Sequence, residues 1–206
     1  MKRGACAVLL LLAACGALPF PPVVAVTDQP APALLLPVVA RAELRAVCRQ
    51  PGFVAAFSLV AASRGGDELR VAALDELGGT LFTAVHASGR VAVLRCSARV
   101  PASLAVALAA GLAAVLRPAA PLIAVRTADG NLAGLARRGE AELLYSPGLD
   151  GGFRVQCGAG GLFLTTVDVE SVVGGADGCA LRCRIKDMAS GFEVVAESVV
   201  VRLDGR

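Results

Sequence analysis

Few residues in this chain could perform acid–base or nucleophilic chemistry. His86 is the single histidine among 206 residues, so any mechanism that uses an imidazole depends on one side chain beside a turn. We expect a solvated histidine at a strand end there. Asp75 and Glu76 are adjacent carboxylates in a turn, and such neighbours usually diverge into solvent. The sequence has no Gly-x-Ser-x-Gly elbow, no His-Glu-x-x-His helix and no phosphate loop. We therefore predict that the protein is not an enzyme and uses no cofactor or metal.

The cysteine with the clearest chemical context is Cys15, which follows the run Leu12-Ala13-Ala14. A positively charged N-terminus, a short apolar run and small residues before a cleavage site together indicate a secretory signal peptide. A transmembrane helix is not indicated, because the run is too short to span a bilayer. The stretch also resembles the lipobox of bacterial lipoproteins, in which the cysteine becomes the acylated first residue. We predict a signal peptide over residues 1–14 and lipidation, such as by palmitate, at Cys15. The alternative is an ordinary signal with an incidental cysteine.

A proline-rich segment follows Cys15 and predicts a tether over residues 15–37. Prolines deny a segment regular hydrogen bonding and favour extended conformations, and six lie here: Pro19, Pro21, Pro22, Pro30, Pro32 and Pro37. Gly16 does not match the aspartate that retains lipoproteins in the inner membrane of enteric bacteria. The predicted location is therefore the cell envelope, lipid-anchored, at the periplasmic face of the outer membrane.

Five cysteines remain after Cys6 and Cys15 are set aside: Cys48, Cys96, Cys157, Cys179 and Cys183. An exported protein can form disulfides, but spacing does not reveal their pairing, and an odd number leaves one thiol unpaired. Cys179 and Cys183 on one strand would lie roughly 13 Å apart, too far for a mutual bridge or a shared zinc ion. Most of the five are expected to be small buried hydrophobic residues.

Charge and composition exclude nucleic acid as a partner. Lys2 and Arg3 supply two units of the net charge of +3, so the exported domain is nearly neutral. The domain therefore lacks a positively charged surface that could bind phosphates. With one tyrosine and no tryptophan, it also has few aromatic side chains on which bases could stack. Residues 38–206 suffice for a single domain with a real core.

Within that domain, alternating apolar and polar residues predict one antiparallel sheet of about ten strands. Short segments such as Leu69–Leu74 and Thr80–His86 are separated by turns too short for a crossover helix, so neighbouring strands should pair antiparallel. Residues 101–117 break the pattern and predict a single helix that Pro101 begins and Pro118 ends. Its residues 101–116 carry no charge, so we expect the helix to be buried or in contact with lipid. A transmembrane helix is disfavoured because the run is short and rich in alanine.

The order of these elements resembles the bacterial lipoprotein family DUF3261. The likeness is carried by the strand–turn–strand Leu69–Phe82, by the helix ending Leu116-Arg117-Pro118, and by the closing pair Leu181–Lys186 and Gly191–Leu203. Arg117 stands where the family usually has an aromatic residue. That family is similar to the lipoprotein-localisation carriers LolA and LolB, which implies a mainly β fold: a curved antiparallel sheet, an incomplete barrel, with a helix on its concave face.

The resemblance also implies a function and a site. It implies an envelope lipoprotein that takes an acyl chain or other lipid cargo, with a lipid-linked polyene as another possible cargo, in a cavity between helix and sheet. The implied ligand-binding residues are Leu104, Leu108 and Leu112 on the helix, facing Phe57, Leu59 and Phe82 on the sheet. The alternative is a non-catalytic structural or interaction lipoprotein with a filled core, acting through a partner in the envelope.

Overall fold

The computed structural model describes residues 18–19, 23–31, 38–50, 53–63, 67–119, 122–127, 129–148, 152–159, 162–175 and 178–203. The predicted signal peptide and Cys15 lie outside these residues, so lipidation stays a prediction.

Within the described residues the chain forms fourteen strands and one helix, and all strand pairs are antiparallel. The helix, α1, covers Ala102–Leu116. The strands are β1 (Leu18–Pro19), β2 (Val23–Val26), β3 (Val39–Gln50), β4 (Phe53–Ser63), β5 (Leu69–Leu74), β6 (Thr80–Ala87), β7 (Arg90–Cys96), β8 (Ile123–Thr127), β9 (Leu132–Arg138), β10 (Ala141–Pro147), β11 (Phe153–Ala159), β12 (Leu162–Gly175), β13 (Gly178–Asp187) and β14 (Glu193–Leu203).

The strands follow from period-two patterning, which β3 shows clearly. Ala42, Leu44, Ala46 and Cys48 are buried on one face, and the residues between them are half-buried or exposed. Successive side chains of a strand point to opposite faces, so this alternation gives the sheet one buried face and one solvent-exposed face. The buried face of the sheet and the helix share one continuous hydrophobic core.

Two meanders make up the sheet. Consecutive strands are neighbours from β3 to β7 and again from β8 to β14, and β14 pairs with β3 to join the two sets. Helix α1 contacts β5, β6 and β7 and also β11, β12 and β13. Since β14, β3 and β4 separate these two groups in the sheet order, the sheet curves around the helix. The predicted fold, a curved antiparallel sheet that does not close into a barrel and holds one helix on its concave face, is confirmed.

Most element boundaries lie within a few residues of the predicted ones. Strand β5 occupies the predicted Leu69–Leu74, and α1 is one residue shorter at each end than the predicted 101–117. Strand β7 ends at Cys96, five residues before Pro101, because the amide of Val100 bonds to the carbonyl of Ser97 in a turn.

The predicted tether differs from the structure where its residues are described. Leu18–Pro19 pairs with β12, and Val23–Val26 pairs with β8 at the end of the sheet. The valine and alanine residues of Val23–Val26 suit an edge strand. Pro19 lies at the end of its short strand, where the missing amide hydrogen costs no hydrogen bond of the sheet. The prediction of a segment without regular hydrogen bonds is therefore wrong for these residues.

A second, smaller hydrophobic cluster lies apart from the main core. It is formed by Val125, Ala133 and Leu144 with the partly buried Leu135. Leu143 and Tyr145, which flank Leu144 on β10, belong to the main core, so Leu144 points to the opposite face of the sheet.

Candidate functional site

Helix α1 is the element on which the predicted site depends. None of its fifteen residues is charged, and eleven of them are buried. Alanine and leucine favour the helix, Pro101 precedes it with an extended backbone, and no side chain caps its first turn. Among the described residues, no helix is long and apolar enough to cross a bilayer. The burial of α1 and its contacts with strands on both flanks of the sheet place this helix inside the sheet's curve.

The six predicted ligand-binding residues lie in the same hydrophobic cluster. Each is at most 6% exposed: Leu104, Leu108, Leu112, Phe57, Leu59 and Phe82. The helix leucines recur every four residues and so share one face. The structure thus brings the six into one core, and their low exposure means that no open, water-sized space lies beside them in this conformation.

The helix lies directly on β12 and β13 at Gly111. A Cβ atom at this position would come within 3.0 Å of Cγ2 of Val167 and 3.3 Å of Cγ2 of Ile185, so only glycine allows this approach without a shift of its neighbours. Strands β14, β3 and β4 are not among the strands that α1 mainly contacts. Strands β14, β3 and β4 lie between the two groups of strands that α1 contacts, so the helix backbone is farther from this part of the sheet, where Phe57 and Leu59 lie.

The C-terminal end of α1 is held by side chains from the sheet. The Tyr145 hydroxyl donates to the Ala114 carbonyl at 3.1 Å and accepts from the Ala119 amide at 3.3 Å. Arg138 donates to the carbonyl of Arg117. These bonds satisfy polar groups that a helix leaves without intrahelical partners at its end. Burial raises the pKa of Tyr145 to about 12, so the hydroxyl stays neutral and can donate.

His86 is buried, which contradicts the prediction of a solvated strand-end histidine. It is 5% exposed, and burial is the largest cause that lowers its pKa, followed by the nearby charge of Arg138. The sequence gives no sign of this role of Arg138, because nothing in a local pattern brings residue 138 to residue 86. Gly89 follows β6 and Gly139 follows β9. These two glycines were the signal in the sequence that hairpin turns lie close to His86 and Arg138.

The cysteines are free thiols where their side chains are described. Cys48, Cys157 and Cys183 are buried and Cys96 is exposed, so the expectation of small buried hydrophobic residues is confirmed for three of these four. Burial raises the pKa of Cys157 and of Cys183 to about 12, which suppresses their thiolates. The side chain of Cys179 lies outside the described residues.

Two cavities open on the outer face of the sheet, away from the predicted site. The larger, about 710 Å³, is lined by charged side chains that include Arg154, Asp168 and Arg184. Arg154 Nε lies 2.5 Å from the Asp168 carboxylate, so these two charges neutralise each other. The smaller, about 470 Å³, lies beside Thr127 and Asn131. In the part of the chain that is described, no three His, Cys, Asp or Glu side chains converge as metal ligands.

Comparisons with known proteins give structural likenesses alone. No family model matches the sequence, so membership of DUF3261 stays a prediction, and no curated protein matches it. A crystal structure from Vibrio parahaemolyticus, described as an outer membrane lipoprotein-sorting protein domain, aligns with a TM-score of 0.44 and 9% identity over 80% of this chain and 85% of its own. A DUF1329 family protein from Desulfovibrio piger ATCC 29098 aligns with a TM-score of 0.43 and 10% identity over 82% of this chain and 87% of its own. A shared architecture does not fix a function, so a functional proposal has to rest on this chain's own residues.

Proposed function

We propose that this protein is a non-catalytic envelope lipoprotein that holds an acyl chain, or another lipid of similar shape, between helix α1 and the concave face of the sheet. In this proposal Cys15 supplies the lipid anchor at the periplasmic face of the outer membrane. The observation that carries the proposal is a helix without a single charged residue, enclosed by a sheet that curves around it without closing.

The unequal contacts of α1 indicate where the acyl chain would lie. On one side Gly111 brings the helix against Val167 and Ile185, which leaves no room. On the other side are β14, β3 and β4, and their inward residues there are mostly small or apolar, among them Ala46, Leu59 and Ala196. An apolar lining with few polar groups is the usual character of a pocket for an apolar ligand.

Entry of a chain requires the helix to move, because the six core residues have almost no exposure. The helix is held at its C-terminal end by Tyr145 and Arg138, whereas its first turn has no side-chain cap. We infer that the N-terminal end of α1 moves away from the sheet and opens space over β3 and β4, and that apolar contacts with the acyl chain replace the helix–sheet contacts that are lost.

A reversible disulfide between helix and sheet tests this proposal. Gly111 and Val167 are close enough for the double substitution Gly111→Cys and Val167→Cys to bridge, in a chain that also carries Cys15→Ser and Cys96→Ser. The oxidised protein should take up a fluorescent fatty acid far more slowly than the reduced one, because the helix is fixed to β12. The two single cysteine variants are matched controls and should respond to neither oxidant nor reductant. Equal uptake in both redox states would contradict the proposal.

A second candidate function is supported by the closed core itself. Leu108, Leu112, Leu59 and Phe82 are all fully buried, as in a domain whose interior is filled by its own side chains. In that case the protein is a structural or interaction lipoprotein that acts through a partner in the envelope. Absence of fatty-acid uptake by the reduced protein at any probe concentration would favour this second function.

A further inference from the structure

The tips of two hairpins from opposite flanks of the sheet touch each other. Ser88 and Gly89 join β6 to β7, and Gly139 and Glu140 join β9 to β10. A Cβ atom on Gly89 would overlap the carbonyl oxygen of Arg138, and one on Gly139 would overlap that of Ser88. Backbone therefore lies against backbone between segments about fifty residues apart, and this contact completes the curve of the sheet at one end.

A charge pair that is buried on the Arg138 side, with the Asp67 side chain 41% exposed, spans the same contact. The Arg138 side chain is 9% exposed, and its Nε lies 3.1 Å from Oδ1 of Asp67. The other carboxylate oxygen of Asp67 accepts a hydrogen bond from the Ser88 amide at 3.0 Å. Asp67 thus connects the guanidinium of the β9–β10 hairpin to the backbone of the β6–β7 turn, and a carboxylate with two such donors is well placed to hold both.

His86 lies beside this pair, and one of its ring nitrogens has no hydrogen-bond partner. Its Nδ1 is buried and unpartnered, and in the described residues Arg184 Nε is the one other buried side-chain nitrogen without such a bond. Arg138 disfavours a charge on the imidazole, and Asp67 favours one. Because buried polar atoms are nearly always bonded, an unpartnered imidazole nitrogen next to a carboxylate is a site where one proton changes the local bonding.

We propose that His86, Asp67 and Arg138 form a pH-sensitive clasp that joins the β6–β7 hairpin to the β9–β10 hairpin and loosens when the His86 imidazole is protonated. The proposal stands whether or not the core takes an acyl chain.

The charges around His86 set the direction of the change. Arg138 and Asp67 act on His86 directly. The two hairpins also carry Arg90 and Glu140, and Arg117 lies at the end of α1, where its carbonyl accepts a hydrogen bond from Arg138. Arg90 and Glu140 pair at 2.9 Å across the outside of the hairpins, but their side chains are 75% and 78% exposed, so this pair contributes little. The clasp therefore depends on Asp67 and Arg138.

Protonation redistributes the bonds of Asp67. A neutral His86 leaves the carboxylate to Arg138 and to the Ser88 amide. An imidazolium places a second positive charge near Arg138, and the two repel in a region of low dielectric. Asp67 can neutralise the imidazolium only at the expense of its bond to Arg138. The hairpins lose the link through Asp67, and the touching turns separate.

The titration is measurable on one resonance, because the chain has a single histidine. In the full chain carrying Cys15→Ser, NMR should show His86 titrating below its ordinary pKa of 6.5. Asp67→Asn should move the midpoint lower, because it removes the favourable charge. Arg138→Gln should move it higher, because it removes the repulsion. A midpoint that responds to neither substitution would overturn the proposal.

The separation of the hairpins is measured by spin labels at Arg90→Cys and Glu140→Cys in a chain that lacks its signal peptide and carries Cys15→Ser, Cys96→Ser and Cys179→Ser. We expect one short distance at pH 7.5 and a longer, broader distribution once the pH falls below the His86 midpoint. His86→Gln cannot take up the proton and should keep the short distance throughout; His86→Leu replaces it if the glutamine variant does not fold. An unchanged distance through the His86 titration, or the same lengthening in the His86 variant, would overturn the proposal.

Discussion

The substitution Leu108→Ala separates an acyl-binding groove from a filled core. Leu108 is fully buried on α1 within the main core. Removal of three carbons costs roughly 2.4 kcal/mol in transfer free energy at about 0.8 kcal/mol for each methylene. Any cavity left behind raises the loss of unfolding free energy, to as much as about 5 kcal/mol. We expect the loss of unfolding free energy to fall in the lower half of this range. The first turn of α1 has no side-chain cap, so the helix can shift and fill part of the cavity.

The same contacts oppose lifting of the helix from the sheet. A loss of about 2 kcal/mol in helix–sheet packing should raise the population of the open state, and with it the rate of fatty-acid uptake, by roughly thirtyfold. Leu144→Ala is the matched control. Leu144 is 1% exposed and belongs to the separate cluster on the opposite face of the sheet, so its truncation should cost a similar unfolding free energy and leave the uptake rate unchanged.

The assay combines urea unfolding with stopped-flow uptake of a fluorescent fatty acid, both on the chain carrying Cys15→Ser. Urea midpoints and slopes give the change in unfolding free energy, and the uptake trace gives the rate. Faster uptake in Leu108→Ala alone supports the groove. Equal acceleration in both variants would mean that uptake follows general destabilisation, and the reasoning would be refuted.

Three further predictions concern single residues. Cys15→Ser should release the protein from the membrane fraction into the soluble envelope fraction, because one or more acyl chains at Cys15 provide the predicted anchor; unchanged fractionation would place the anchor elsewhere. Tyr145→Phe removes the bonds to the end of α1 and should cost about 1–3 kcal/mol by urea unfolding, and in the unaltered protein the tyrosinate absorbance should not develop until pH approaches 12. In a Cys15→Ser, Cys179→Ser chain without its signal peptide, Cys96 should react with a thiol reagent at once and the buried cysteines only after unfolding; rapid reaction of more than one thiol would contradict the burial.

The pH dependence of stability follows from His86. Its folded-state pKa lies below the unfolded value of 6.5, so the unfolded chain binds the proton more readily. Unfolding free energy should therefore fall as pH drops below about 6.5 and level off below the folded-state pKa. Urea midpoints between pH 8 and 5 measure this, and His86→Gln should remove that part of the decline. A decline of the same size in the variant would assign it to other groups.

Local patterns were sufficient to predict most strands and the helix. Alternation identified Leu69–Leu74, and two prolines bounded the helix, because both signals act through the backbone of a few neighbouring residues. The four residues of β2 gave no such signal among the prolines around them. Their pairing with β8 depends on an available sheet edge, which a local pattern does not contain.

The candidate site was predictable as a set of apolar residues and not as a geometry. The stripe of Leu104, Leu108 and Leu112 is visible in the sequence, and its burial follows from the uncharged opposite face. The approach of Gly111 to Val167 and the meeting of His86 with Arg138 arise from the curvature of the whole sheet. Long-range contacts of this kind depend on the joining of the two meanders through β14 and β3, and no local periodicity encodes that.

The most direct test of acyl binding locates the chain inside the protein. Palmitate labelled with ¹³C is added to the chain carrying Cys15→Ser, and NMR detects magnetisation transfer between its methylenes and protein methyl groups. The proposed function predicts transfer to the methyls of Leu108 and Leu59, on the two sides of the groove. Transfer confined to an exposed residue such as Leu94, which is 63% exposed, or no transfer at all, would contradict it.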